Sequence, residues 1–224
     1  MSHSIPQGTT YFDADPDPRV GFAVKIALAV WLAAVVALAA AGAFVVAPGI
    51  PPLPVFGGAV LPLVLFAIAL RISPAFRAFV LALDVRLITA VQAWRYGGFA
   101  FIALYADHVL PGLFAWAAGL GDMVIGVSAP LWVLALTKKP EALGSKGFRL
   151  WNVLGLIDFV VAFSTATLAT LLITGDALPS MAPMARLPHV LIPVFMVPLF
   201  AMLHISSLLQ SRQARSKQGR AASR

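Results

Sequence analysis

Apolar residues dominate six long stretches of this chain, at about 20–46, 54–72, 87–109, 112–136, 150–174 and 188–209. Each is near the ~20 residues a helix needs to cross a hydrocarbon layer of ~30 Å. Backbone polar groups in lipid must be satisfied within the segment, so stretches of this length predict helices. The alternation of a membrane barrel, with a polar residue at every second position, is absent from them. The expected fold is therefore all-α: a polytopic transmembrane bundle of six spans.

Polar and helix-breaking clusters separate the runs. "APGIPPLP", "ISPAFR", "TKKPEALGSKGFR" and "TGDALPSMAPMARLP" are rich in proline and glycine, which is loop chemistry. In "SPAFRAFVLALDVR", Ser73 is suited to cap a helix with Pro74 in its first turn. That stretch is either an interfacial helix or an early turn of the third span. The chain divides into a polar segment at 1–19, a transmembrane domain at 20–210 and a basic tail at 211–224. The N-terminus is acidic, unlike the basic start of a signal peptide, so the first apolar run is expected to remain as an anchor.

Composition narrows the solvent. Of 224 residues, 60% are hydrophobic and 11% charged, against about 25% charged in soluble domains. A polar shell cannot be built from so few charges, whereas lipid needs none. Net charge is +7, and its distribution sets an orientation. With the N-terminus in the cytoplasm, all sixteen Lys and Arg residues except Arg95 and Arg186 fall on the inner side. This bias predicts an N-in/C-in topology. The expected partners are the bilayer and, at the inner basic residues, anionic headgroups. Nucleic acid is not expected, because no folded basic face interleaved with aromatics is present. A homo-oligomer is left open. There is no cysteine, which excludes disulfides, thiolate metal sites and cysteine nucleophiles.

Three ionisable residues interrupt the apolar runs. At 1.5 Å per residue, Arg95 lies roughly 5 Å from the bilayer centre, Asp122 about 3 Å and Asp158 roughly 6 Å. Each costs about 2.5–3.5 kcal/mol when unpaired at the middle of a lone helix. Arg95 is therefore expected to pair with Asp122, Asp158 or both, its guanidinium offering five donors in a fork. Trp94 and Tyr96 flank it, and Asn152 and Ser164 are candidates for further hydrogen bonds. Gly119, Gly121 and Gly126 allow a neighbouring backbone to approach Asp122. Such a central polar site suits a proton relay, a solute or a headgroup; the plain alternative is an ion pair that sets helix register.

A second constellation is expected at the outer face. "YADHVLP" places Asp107 and His108 at the end of the third span, and "RLPHVLIP" places His189 at the start of the sixth. Histidines and a carboxylate at one depth suit a metal, and paired histidines suit a haem, although the sequence requires no cofactor. The plain alternative is ordinary interfacial histidines. His204, fifteen residues beyond His189, lies about 60° away around an ideal helix and reads as a core histidine. Pro188, Pro193 and Pro198 punctuate the sixth span, the first suiting an initial turn and the others inviting kinks.

No enzyme signature is present: G-x-S-x-G, H-E-x-x-H, a P-loop and D-D-x-x-D are all missing. The stretches "LPGLFAWAAGLGDMVIGVSAP", "WNVLGLIDFVVAF" and "LIPVFMVPLFAMLH" resemble a set of uncharacterised bacterial multi-span membrane proteins, over about 91–208. The resemblance implies a bacterial cytoplasmic membrane and transfers no activity. The leading expectation is a transporter-like or small-solute- or lipid-binding protein. The alternatives are a membrane haem or metal redox protein and a structural accessory subunit.

Overall fold

The computed structural model describes residues 17–47, 49–172 and 179–222, with side chains as far as 216. The polar segment before Asp17, the end of the fifth apolar run and the last residues of the tail lie outside this description. Six helices among the described residues are long and apolar enough to cross a membrane. Helix α1 spans Pro18–Ala40 and α2 Leu53–Ile72, followed by the short α3 at Pro74–Ala82. The third crossing is composite: α4 at Val85–Val91, a 3-10 segment at Gln92–Gly98 and α5 at Phe99–Ala106. Helices α6, Gly112–Lys138, and α7, Lys146–Leu172, are continuous. A π turn at Ile192–Met196 leads into α8, Val197–Ala222.

Burial is inverted relative to a water-soluble protein. Thr89, Asn152, His204, Gln210 and Ser211 are fully buried, while Phe22, Val30, Val124, Leu131 and Val160 point outward and are more than half exposed. Apolar side chains can face outward at little cost only where the surroundings are themselves apolar. The interior is organised around α6, which packs on the composite third crossing and on α7, while α8 closes the bundle against α4 and α7. Helix α1 is peripheral, packing on α3 and the π turn.

Local chemistry explains the boundaries, including three that differ from expectation. The first helix stops at Ala40 rather than continuing to Val46. Gly42 takes φ +75°, and the Gly42 and Ala43 amides donate back to the Ala39 and Leu38 carbonyls at 3.0 and 2.9 Å. This is a Schellman ending, which a glycine without Cβ makes easily. The third crossing is not one regular helix, because the Gly97–Gly98 pair favours α geometry weakly and the tighter coil is held by packing on α6. The sixth crossing begins with the π turn at Ile192, later than 188. Pro198 has no N–H for the Val194 carbonyl and its ring crowds that oxygen, a conflict that a widened turn relieves. At its other end the helix continues past Leu209 into the basic tail as far as Ala222. The ambiguous stretch after Ser73 is a helix of its own, with the Ser73 hydroxyl accepting from the Phe76 amide at 3.2 Å.

Candidate functional site: a buried guanidinium between two carboxylates

The 3-10 segment aims Arg95. With three residues per turn, Gln92, Arg95 and Gly98 fall on one line, and all three are buried. The intervening Trp94 and Tyr96 point outward, at 74% and 55% exposure. Trp94, expected beside the central polar site, therefore lies on the opposite face from it. Ser164 is absent from the site as well, because its hydroxyl is spent on the Val160 carbonyl of its own helix.

Small residues bring the backbones close enough for Arg95 to reach its partners. Gly126 of α6 packs directly on the Arg95 and Tyr96 backbone, and Gly119 packs on the Gly98 carbonyl. A Cβ at Gly121 would strike the Asp158 carboxylate, so that glycine admits α7 rather than the third crossing. These contacts are backbone-close packing of the kind small residues permit in membrane bundles.

Arg95 then bonds to three other crossings. Its Nε donates to Asp122 Oδ1 at 2.7 Å, and Nη2 donates to Asp158 Oδ2. Nη1 donates to the Gly155 carbonyl at 3.2 Å and lies 3.0 Å from His204 Nε2. The guanidinium also sits 4.0 Å from the centre of the Phe159 ring, where the π face favours a cation. One side chain thus ties together the third crossing, α6, α7 and α8. Its own exposure is 1%, against 16% for Asp122 and 10% for Asp158.

His204 is the member that sequence reasoning placed in the core but not in the site. The Asn152 amide donates through Nδ2 to the Phe148 carbonyl at 2.8 Å, which turns its Oδ1 toward His204 Nδ1 at 2.9 Å. An amide oxygen only accepts, so Nδ1 carries the ring hydrogen and the lone pair on Nε2 faces Arg95. A doubly protonated ring would set a second N–H against the guanidinium. The histidine is therefore held neutral, as an acceptor for Arg95. Gly155 is what admits it, since a Cβ there would overlap the imidazole. A histidine 109 residues from Arg95 and 52 from Asn152 in sequence gives no local signal of this role.

Opposite the basic end, a cavity of about 680 Å³ opens among α2, α5, α6, α7 and the segment before α8. Phe44, Phe56, Phe101, Phe114 and Phe163 make its walls largely apolar. Asp122 is part of its lining and Asp158 is not, while Arg186 and His189 lie among the lining residues from the loop before the π turn.

The outer histidine constellation does not assemble. Asp107 and His108 are exposed, and His108 takes φ +57° in the turn after α5. His189 belongs to the cavity lining instead. Among the described residues, Asp107, His108 and His189 form no cluster able to hold a metal. The turn at His108 carries Asp107 and His108 to the surface, and the π turn changes the helical phase between His189 and His204. Extrapolation along an ideal helix could not foresee either.

Inverted burial, six helices of membrane-crossing length and a charged cluster held between them define an integral, multi-pass membrane protein. It belongs to the family described as "Domain of unknown function (DUF8737)", whose model matches residues 50–211. The match spans α2 to most of α8 and contains the whole of the Arg95 cluster, leaving out peripheral α1. No curated protein and no solved structure matches the chain.

Proposed function

We propose that this is a transporter-like membrane protein that binds a small amphiphilic solute or lipid in the apolar cavity, with the Arg95 cluster as its central polar site. The observation that carries the reading is the junction of the two features: Asp122 both lines the cavity and accepts from Arg95 Nε at 2.7 Å. A cavity of about 680 Å³ is within the range of small-ligand sites, which pair apolar walls with a few polar groups. A cluster serving only packing has no need of a cavity that reaches one of its carboxylates. The bias of the basic residues supports a topology with both termini in the cytoplasm and the cavity mouth on the outer side of a bacterial cytoplasmic membrane.

The test uses a fatty acid carrying a diazirine, added to the full chain in lipid nanodiscs. Cross-links should concentrate at cavity residues such as Phe163 and Ile192 over lipid-facing Val124, and Ala166→Trp should abolish that preference. Equal labelling of all apolar faces, unchanged by Ala166→Trp, would refute a ligand site. Asp122→Asn is expected to lose ligand discrimination while the protein still accumulates. If it only unfolds, the packing account is preferred.

A further inference from the structure

The cluster is unbalanced in charge. The ionisable groups facing one another are Arg95 from the third crossing, Asp122 from α6, Asp158 from α7 and His204 from α8. One guanidinium offsets one carboxylate, and His204 is held neutral by Asn152 and Arg95. With both aspartates ionised, the middle of the bundle would carry one uncompensated negative charge. Such a charge is costly at membrane depth, and a single proton removes it.

A second, independent feature leads from this cluster toward the basic end of the bundle. Buried polar side chains run between the third crossing and α8: Thr89 and Gln92 on one side, Ser207, Gln210 and Ser211 on the other. Several of their oxygens have no hydrogen-bond partner among the described residues: Thr89 Oγ1, Gln92 Oε1, Gln210 Oε1 and Ser211 Oγ. The amides are not misoriented. Gln92 Nε2 donates to the Phe200 carbonyl at 3.2 Å, and Gln210 Nε2 donates to the carbonyls of Val80 and Leu83 at 3.1 and 2.9 Å. Their oxygens are thus fixed as acceptors. Buried polar atoms are nearly always satisfied in folded proteins, and bridging water is the usual partner where protein supplies none. Packed carbon would have cost less than this line of oxygens, so their chemistry points to water.

We propose that this polar file conducts a proton between the basic end of the bundle and the Arg95 cluster, where Asp122 and Asp158 share it. The transfer passes H⁺ from water to a carboxylate oxygen, one O–H bond breaking as another forms, with no change of oxidation state. Because Asp122 also lines the cavity, proton occupancy and cavity occupancy are coupled. Only that coupling rests on the cavity-binding reading; the proton site and its path do not.

Infrared spectra of the full chain in nanodiscs at neutral pH test the proposal, since exposed carboxylates are then ionised and give no acid band. The expected result is the carbonyl band of a protonated carboxylic acid, lost in Asp122→Asn and in Asp158→Asn. On transfer to D₂O with the cavity filled by Ala166→Trp, the band should shift, severalfold more slowly when Thr89→Val and Ser211→Ala are added as a double variant. That double variant leaves the cluster intact, so its exchange rate decides the path even if an Asn variant fails to fold. Absence of the band, its persistence in both folded Asn variants, or unchanged exchange in the double variant would overturn the proposal. Ala166→Trp should keep the band, so loss of diazirine labelling there bears on the cavity alone.

Discussion

Arg95 shows how much of a membrane interior one side chain can organise. Its donors reach two carboxylates, a backbone carbonyl and an imidazole on three different helices. Replacing it leaves two buried aspartates without their counter-charge, and breaking one side of a buried ion pair typically costs about 3–5 kcal/mol. Arg95→Gln should lower stability by that order, read as a fall in the thermal midpoint of the detergent-solubilised protein. Arg95→Lys should recover only part of the loss, because an ammonium keeps the charge but cannot fork toward partners on opposite sides. Full recovery with lysine would mean that charge alone matters. The pairing of Arg95 with aspartate was legible because unpaired charges at one depth are too costly to leave apart. The acceptors Gly155 and His204 were not, since a carbonyl and a neutral ring carry no charge to be balanced.

At the scale of elements, contact between helices depends on glycines whose importance differs by position. Gly126 packs against the Arg95–Tyr96 backbone, whereas Gly57 has open space around the position of a Cβ. A methyl group at Gly126 would wedge α6 away from the 3-10 segment, and overpacking of this kind costs roughly 1–3 kcal/mol. Gly126→Ala should therefore destabilise the protein in detergent unfolding, while Gly57→Ala should be neutral or slightly stabilising. Equal effects would show that the close approach of α6 is unimportant. The glycines themselves are visible in the sequence, and so is their meaning as contact points. Which neighbour each one admits is not: Gly119 and Gly126 face the third crossing, but Gly121 faces Asp158. The same holds for irregular backbone. Pro198 announces a conflict in the last crossing, yet whether it is settled by a kink or a π turn depends on what packs alongside.

For the whole molecule, topology is the property to measure. The chain contains no cysteine, so single cysteines report sidedness without a background. Asp107→Cys, in the exposed turn after α5, should react with a membrane-impermeant maleimide on intact cells. Ser145→Cys, between α6 and α7, should react only after the membrane is opened. The reverse pattern would invert the orientation inferred from the basic residues, and labelling of both sites in intact cells would contradict an intervening membrane span.

The sequence by itself determined the class of protein, its six long apolar helices and the need of its buried charges for partners. Length, apolar composition and the cost of unpaired groups in lipid act locally, and each can be read from one segment at a time. The tertiary structure decided which groups meet. Facing direction depends on helical phase, and the phase here is reset by a 3-10 segment in one crossing and a π turn in another. Those resets turn Arg95 inward and Trp94 outward and bring His204 to the cluster while His189 lines the cavity, and the separate turn at His108 leaves that ring at the surface. Such irregularities are stabilised by contacts between distant segments, so no single segment reveals them.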